Sequence, residues 1–87
     1  MYRLLLRRSV EKTFRKLAKR DPRQLRAIQS KLHEVLADPH RHKNLRAPLQ
    51  HLRRVHIESF VLVYSIDEEK KAVVVEDYDH HDRIYKR

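Results

Sequence analysis

The sequence predicts an α+β domain on three observations. A short apolar N-terminal run leads directly into two helix-periodic segments with clear start and stop signals. Three strand-like runs then crowd into residues 52–78, and no repeat, linker or low-complexity segment interrupts the chain. The expected order is an N-terminal strand, a two-helix antiparallel hairpin, then a three-stranded antiparallel meander with a short C-terminal tail. The helices are expected on one face of the sheet. Residues 1–87 are expected to form a single domain, since a chain of 87 residues supports one modest core.

Residues 2–6 read as a strand, with Leu4, Leu5 and Leu6 continuous enough to be buried. Ser9 then offers an N-cap, with Glu11 well placed in the first turn. Val10, Phe14, Leu17 and Ala18 follow at helical spacing and mark one stripe. Asp21-Pro22 starts a second helix: Asp caps, Pro takes the first helical position, and Gln24 completes a capping-box pattern. Leu25, Ile28, Leu32, Val35 and Leu36 line one face, and Asp38-Pro39 ends the helix because the residue before proline is driven out of the helical region. Residues 40–51 have no periodicity and read as a loop. Residues 52–57 mix apolar and basic side chains, 60–66 are β-branched and aromatic, and 67–70 form a polar turn. In 72–78, Val73, Val74 and Val75 indicate a central strand covered on both faces.

Charge narrows the function. Lys and Arg number 21 against 12 acids, a net of +9, and the excess is uneven. Residues 1–57 hold 16 basic and 4 acidic residues; residues 58–87 hold 5 and 8. Such a basic segment is drawn to polyanions by phosphate contact and counterion release. The chain has no glycine, which excludes the glycine-rich loops that cradle nucleotide phosphates. It has no cysteine, hence no disulfide or thiolate metal site, and nothing argues for secretion. The longest apolar run, 60–64, is far short of a membrane span. The chain is therefore expected to be cytoplasmic and to make no membrane contact.

Three stretches carry a family resemblance. Leu45-Arg46 is similar to a "Leu-Arg-Gly" element, with Ala47 where glycine is usual. Arg53-Arg54-Val55-His56-Ile57-Glu58-Ser59-Phe60-Val61-Leu62-Val63-Tyr64 resembles an "Arg-x-Arg-Val-Gly-x-Tyr-Arg-Leu-Val-Tyr" hairpin. His80-His81-Asp82-Arg83-Ile84-Tyr85-Lys86 resembles a C-terminal "His-Arg-x-x-Val-Tyr-Lys". In this order and spacing they resemble the RelE/ParE toxin superfamily over nearly the whole chain. The resemblance implies a toxin neutralised by a cognate antitoxin, in a hetero-oligomer. RelE-like members cut mRNA at the ribosomal A site with basic and aromatic residues and no cofactor; ParE-like members poison DNA gyrase. Two departures bear on mechanism: Val61 stands where RelE-type members carry arginine, and Asp79 with the two histidines replaces an arginine expected before the C-terminal tyrosine. Either catalysis has moved to histidine, or cleavage is weakened or lost.

RNA is cleaved when its own 2′-OH attacks the adjacent phosphate, which requires a base, a clamp on the phosphoryl charge and an acid for the leaving oxygen. Strand alternation puts Leu52, Arg54 and His56 on one face and Arg53, Val55 and Ile57 on the other. Arg54 is the expected phosphate clamp and His56 a base or orienter, with the catalytic set completed by His80 or His81 as acid and Tyr85 stacking on a base. Arg46, Arg53, Arg83, Lys86 and Arg87 are the expected RNA-binding residues; a one-residue register error would exchange Arg53 with Arg54. The bland alternative makes these ordinary solvated residues, with Tyr85 packed on the core. No metal is expected, because His40-x-His42 and His80-His81-Asp82 match no strong zinc spacing. A plain nucleic-acid-binding module would need only the helical cations Arg15, Lys16, Lys19, Arg20, Arg23 and Arg26.

Overall fold

The computed structural model describes residues 1–84. Strand β1 (Arg3–Leu6) leads into helices α1 (Arg8–Arg20) and α2 (Pro22–Ala37). A loop follows, then β2 (Leu52–Ile57), β3 (Phe60–Asp67), β4 (Ala72–His80) and a one-turn helix α3 (His81–Ile84). The expected α+β order therefore holds. The sheet order is β1-β4-β3-β2: the last three strands form the antiparallel meander, and β1 adds to β4 in parallel.

The second helix starts as its sequence dictates. Asp21 Oδ1 accepts from the backbone N–H of Gln24 at 3.1 Å, Pro22 holds the first helical position, and the helix ends at Asp38 before Pro39. The first helix starts differently. Its N-cap is Arg7, with no side-chain cap, and Ser9 lies inside the first turn, where its carbonyl accepts from the Thr13 hydroxyl at 3.1 Å. Hydrogen bonding between β1 and β4 runs up to Arg7 N–H and Val75 O, so the chain leaves the strand directly into the helix and Ser9 arrives too late to cap.

Helices α1 and α2 cover one face of the sheet. Ile28, Val35, Leu62, Tyr64, Val73 and Val75 are at most 1 % exposed and form the centre of the core with Val10, Leu32, Val55, Ile57 and Tyr78. Burying side chains of this size contributes roughly 1.5–3 kcal/mol each. Phe60 stacks on Tyr78, and Phe14 meets Tyr78 edge-on, closing the core at one end. The Tyr64 hydroxyl donates to Pro39 O at 2.7 Å, which ties the loop to the sheet.

Two further expectations are corrected. Two of the three leucines of β1 are not buried: Leu4 is 38 % and Leu5 40 % exposed on an edge strand with a neighbour on one side only, while Leu6 is half-buried against the core. The stripe on α1 is narrower than its spacing suggests, since Ala18 is exposed and only Val10 fully buried. As expected, β4 is central, between β1 and β3, with Val73 and Val75 fully buried and Val74 half-buried.

Candidate active site on the face opposite α1 and α2

Register assigns the site residues to a face. In β2, Val55 and Ile57 point into the core, and Arg54 and His56 point away from it and are exposed. Directly paired residues of antiparallel strands share a face. Arg54 is paired to Val63 and Val63 to Asp77; His56 is paired to Val61 and Val61 to Asp79. The face opposite α1 and α2 thus carries cations on β2, buried valines on β3 and carboxylates on β4, with adjacent strands about 4.8 Å apart. A bulge adds Glu76, where the pairing shifts from Val63–Asp77 to Tyr64–Val75. Glu76 is held by Arg7 Nε at 2.8 Å and by the Ser65 hydroxyl at 2.6 Å. Burial alone would raise its pKa, but the hydrogen bonds from Arg7 and Ser65 bring it below the usual carboxylate range.

Helix α3 packs against β3 and β4 on this same face and brings in His81. The His81 backbone N–H donates to Ser59 O at 2.8 Å, and its ring lies with its centroid 6.1 Å from that of His56. His81 Nδ1 is 3.4 Å from Asp82 Oδ1. The two adjacent histidines part company here. His80 is paired to Phe60, on the face of the core, and meets that ring edge-on at 5.4 Å. Its Nδ1 accepts the backbone N–H of Asp82 at 3.2 Å, so His80 caps the turn that carries His81.

Of the other expected site residues, Arg53 is half-buried, and its guanidinium donates to the carbonyls of His40 and His42, pinning the loop. Arg83 Nε donates to Asp79 Oδ1 at 3.0 Å. Arg46 is exposed in the loop. Tyr85, Lys86 and Arg87 lie outside the described residues. A cleft of about 390 Å³ opens at Val63, the cross-strand partner of Arg54, lined also by Leu45, Leu49, Leu52, Ile84, Glu76 and Asp77. Among the described residues, no group of three or more His, Cys, Asp or Glu side chains is placed to hold a metal ion. None of their helices is long and apolar enough to cross a membrane.

Sequence reasoning missed the row of acids on β4. Its signal was the acidic balance of residues 58–87, but a bulge that turns Glu76 and Asp77 to one side breaks simple alternation.

The family model of the ParE toxin of the type II toxin–antitoxin system parDE matches residues 4–85. The chain belongs to the RelE/ParE toxin superfamily. A protein assigned as toxin RelE4 of Methanocaldococcus jannaschii is 49% identical over 88 residues, covering 100% of this chain and 94% of that protein. A Methanosarcina mazei protein is 56% identical over 98% of this chain and its own full length. Among solved structures, the intact E. coli RelBE toxin–antitoxin complex contains a chain matching 95% of this one and 100% of its own length, at a TM-score of 0.79 and 26% identity. This RelE/ParE chain is accordingly a toxin of a type II toxin–antitoxin system.

Proposed function

We propose that this toxin is an endoribonuclease in which His56 and His81 act as an acid–base pair and Arg54 clamps the scissile phosphate. The observation that carries the reading is the 6.1 Å approach of the His56 and His81 rings on the face that also bears Arg54. Histidine is the side chain whose ordinary titration lies nearest neutrality, and two imidazoles at this spacing bracket one phosphodiester. One takes the 2′-OH proton as the 2′-oxygen bonds to phosphorus. The P–O5′ bond breaks, and the other imidazolium protonates the departing 5′-oxygen. The products are a 2′,3′-cyclic phosphate and a free 5′-OH. Arg54 neutralises charge on the non-bridging oxygens. The carboxylates of β4 repel phosphate and confine the RNA backbone to the β2 side, and the cleft at Val63 has room for a base.

The substrate we propose is mRNA on the ribosome, in the cytoplasm. Arg8, Lys12, Lys16, Lys19, Arg20 and Arg26 stud the exposed side of the helices and suit contact with ribosomal RNA. The partner we propose is an antitoxin. An apolar groove of about 360 Å³, lined by Leu4, Leu6, Phe14, Ala18, Leu25 and Ile28 among others, runs beside the free edge of β1. It suits an amphipathic segment of an acidic antitoxin.

Mapping transcript ends after incubation of purified protein with translating ribosomes tests the reading. New 5′ ends made by the wild type and not by His81→Ala are expected; their absence overturns it. A gyrase-directed, ParE-like activity is the second reading, favoured by Val61, which fills with an apolar side chain the position beside His56 where RelE-type members have arginine. Inhibition of gyrase supercoiling with no transcript cleavage would establish it.

A further inference from the structure

We propose that the Arg23–Glu58 pair is a positioning device that sets the spacing of His56 and His81; the inference rests on the acid–base reading of those two rings. Glu58 and Ser59 form the two-residue tip of the β2–β3 hairpin, since Ile57 pairs directly with Phe60. Glu58 has φ 56°, the left-handed region that glycine fills at little cost, and this chain has no glycine to place there. The backbone at the tip is thus held in a conformation that its own residue disfavours.

The restraint comes from another element. Arg23, in the first turn of α2, grips the Glu58 carboxylate with both arms, Nη1 to Oε2 at 2.8 Å and Nη2 to Oε1 at 3.1 Å. The fork fixes direction as well as distance. Hydrogen bonding and charge from Arg23 hold the Glu58 carboxyl below the usual range. Both side chains are exposed, so the pair adds little to global stability. Its effect is geometric. The residue after Glu58 is Ser59, whose carbonyl takes the His81 N–H at 2.8 Å, and two residues before Glu58 stands His56. The hairpin tip is therefore the shared support of both imidazoles: one is built into its strand, and the other hangs from its carbonyl. Arg23 fastens that tip to the start of α2, itself fixed in the core through Gln24 and Tyr78. A turn in this torsion without its brace re-aims the Ser59 carbonyl and carries α3 with it.

The test uses Glu58→Gln, Arg23→Gln and the exchanged pair Arg23→Glu/Glu58→Arg in the full chain. Two measurements are made: the NMR cross-relaxation peak between the His56 and His81 rings, and kcat and KM for mRNA cleavage on programmed ribosomes. Each single variant is expected to lose the ring–ring peak and to lower kcat about tenfold, with KM changed less than about twofold. The exchanged pair, which restores the fork in reverse, is expected to recover both. Persistence of the peak in both single variants, or failure of the exchanged pair to restore it, overturns the proposal. If the wild type cleaves no RNA, the nuclease reading fails, and the ring–ring peak alone still decides whether Arg23 and Glu58 position His81.

Discussion

The Tyr78 hydroxyl donates to Gln24 Oε1 at 2.9 Å, and Gln24 in turn bonds Asp21, the cap of α2. A side chain on the central strand thereby fixes the start of a helix. Burial, reinforced by the carboxylates of Glu58 and Asp21, pushes the Tyr78 phenol up, so it stays a donor throughout the working range. Replacing Tyr78 with Phe leaves the Gln24 carbonyl, in a residue only 8 % exposed, without its donor. The expected loss is about 1–2 kcal/mol in urea unfolding, with cleavage per folded molecule unchanged.

The two adjacent histidines are expected to respond differently. His81→Asn removes an imidazole that faces His56 and should lower cleavage by about a hundredfold or more. His80→Asn replaces one capping acceptor with another and should leave most of the activity, with a small fall in melting temperature. Equal losses in cleavage assays on programmed ribosomes would contradict the division of labour.

Arg54→Ala should weaken RNA binding and reduce the slope of log affinity against log salt by about one unit. An unchanged slope would mean that Arg54 touches no phosphate. Arg53→Ala should instead free the loop at His40 and His42 and register mainly as lost stability.

His42 supplies a pH dependence. Burial, followed by the nearby charges of Arg41 and Lys31, pushes its pKa below the ordinary histidine value. The fold therefore prefers the neutral ring. Its contribution is complete above the unfolded value of about 6.5, declines as pH falls below that, and levels off below the folded value. His42→Phe, which keeps a ring against Tyr64, should flatten the stability profile across that window. Denaturation midpoints at a series of pH values would show it.

The groove beside β1 offers a fifth test. Leu4→Glu places a charge where an antitoxin's apolar side chain would sit, on a residue already 38 % exposed. Antitoxin affinity should fall by about 2 kcal/mol with little change in cleavage by the free toxin. Undiminished affinity would move the antitoxin elsewhere.

Much of this architecture can be read from residue order. Proline and aspartate at 21–22 and 38–39 bound α2 because their constraints are local, and β2 begins and ends where alternation says. Its alternation also sends Arg54 and His56 to one face, which is half of the candidate site. The other half depends on information the pattern does not hold. Whether the leucines of β1 are covered depends on which strand becomes the edge. Which of two adjacent histidines faces His56 depends on the end of β4 and the turn that follows. The Arg23–Glu58 pair spans 35 residues, and periodicity carries no signal for such a contact.

The parallel pairing of β1 with β4 has a consequence for synthesis. Residues 3–6 find their partners only when residues 72–75 exist, so the sheet cannot close on a partial chain. His81 follows still later, and the bond from its N–H to Ser59 O requires the hairpin tip. Long-range closure of this kind comes late in folding. A nascent chain that has not yet extended past residue 81 therefore has its two helices but neither a closed sheet nor the paired rings of His56 and His81.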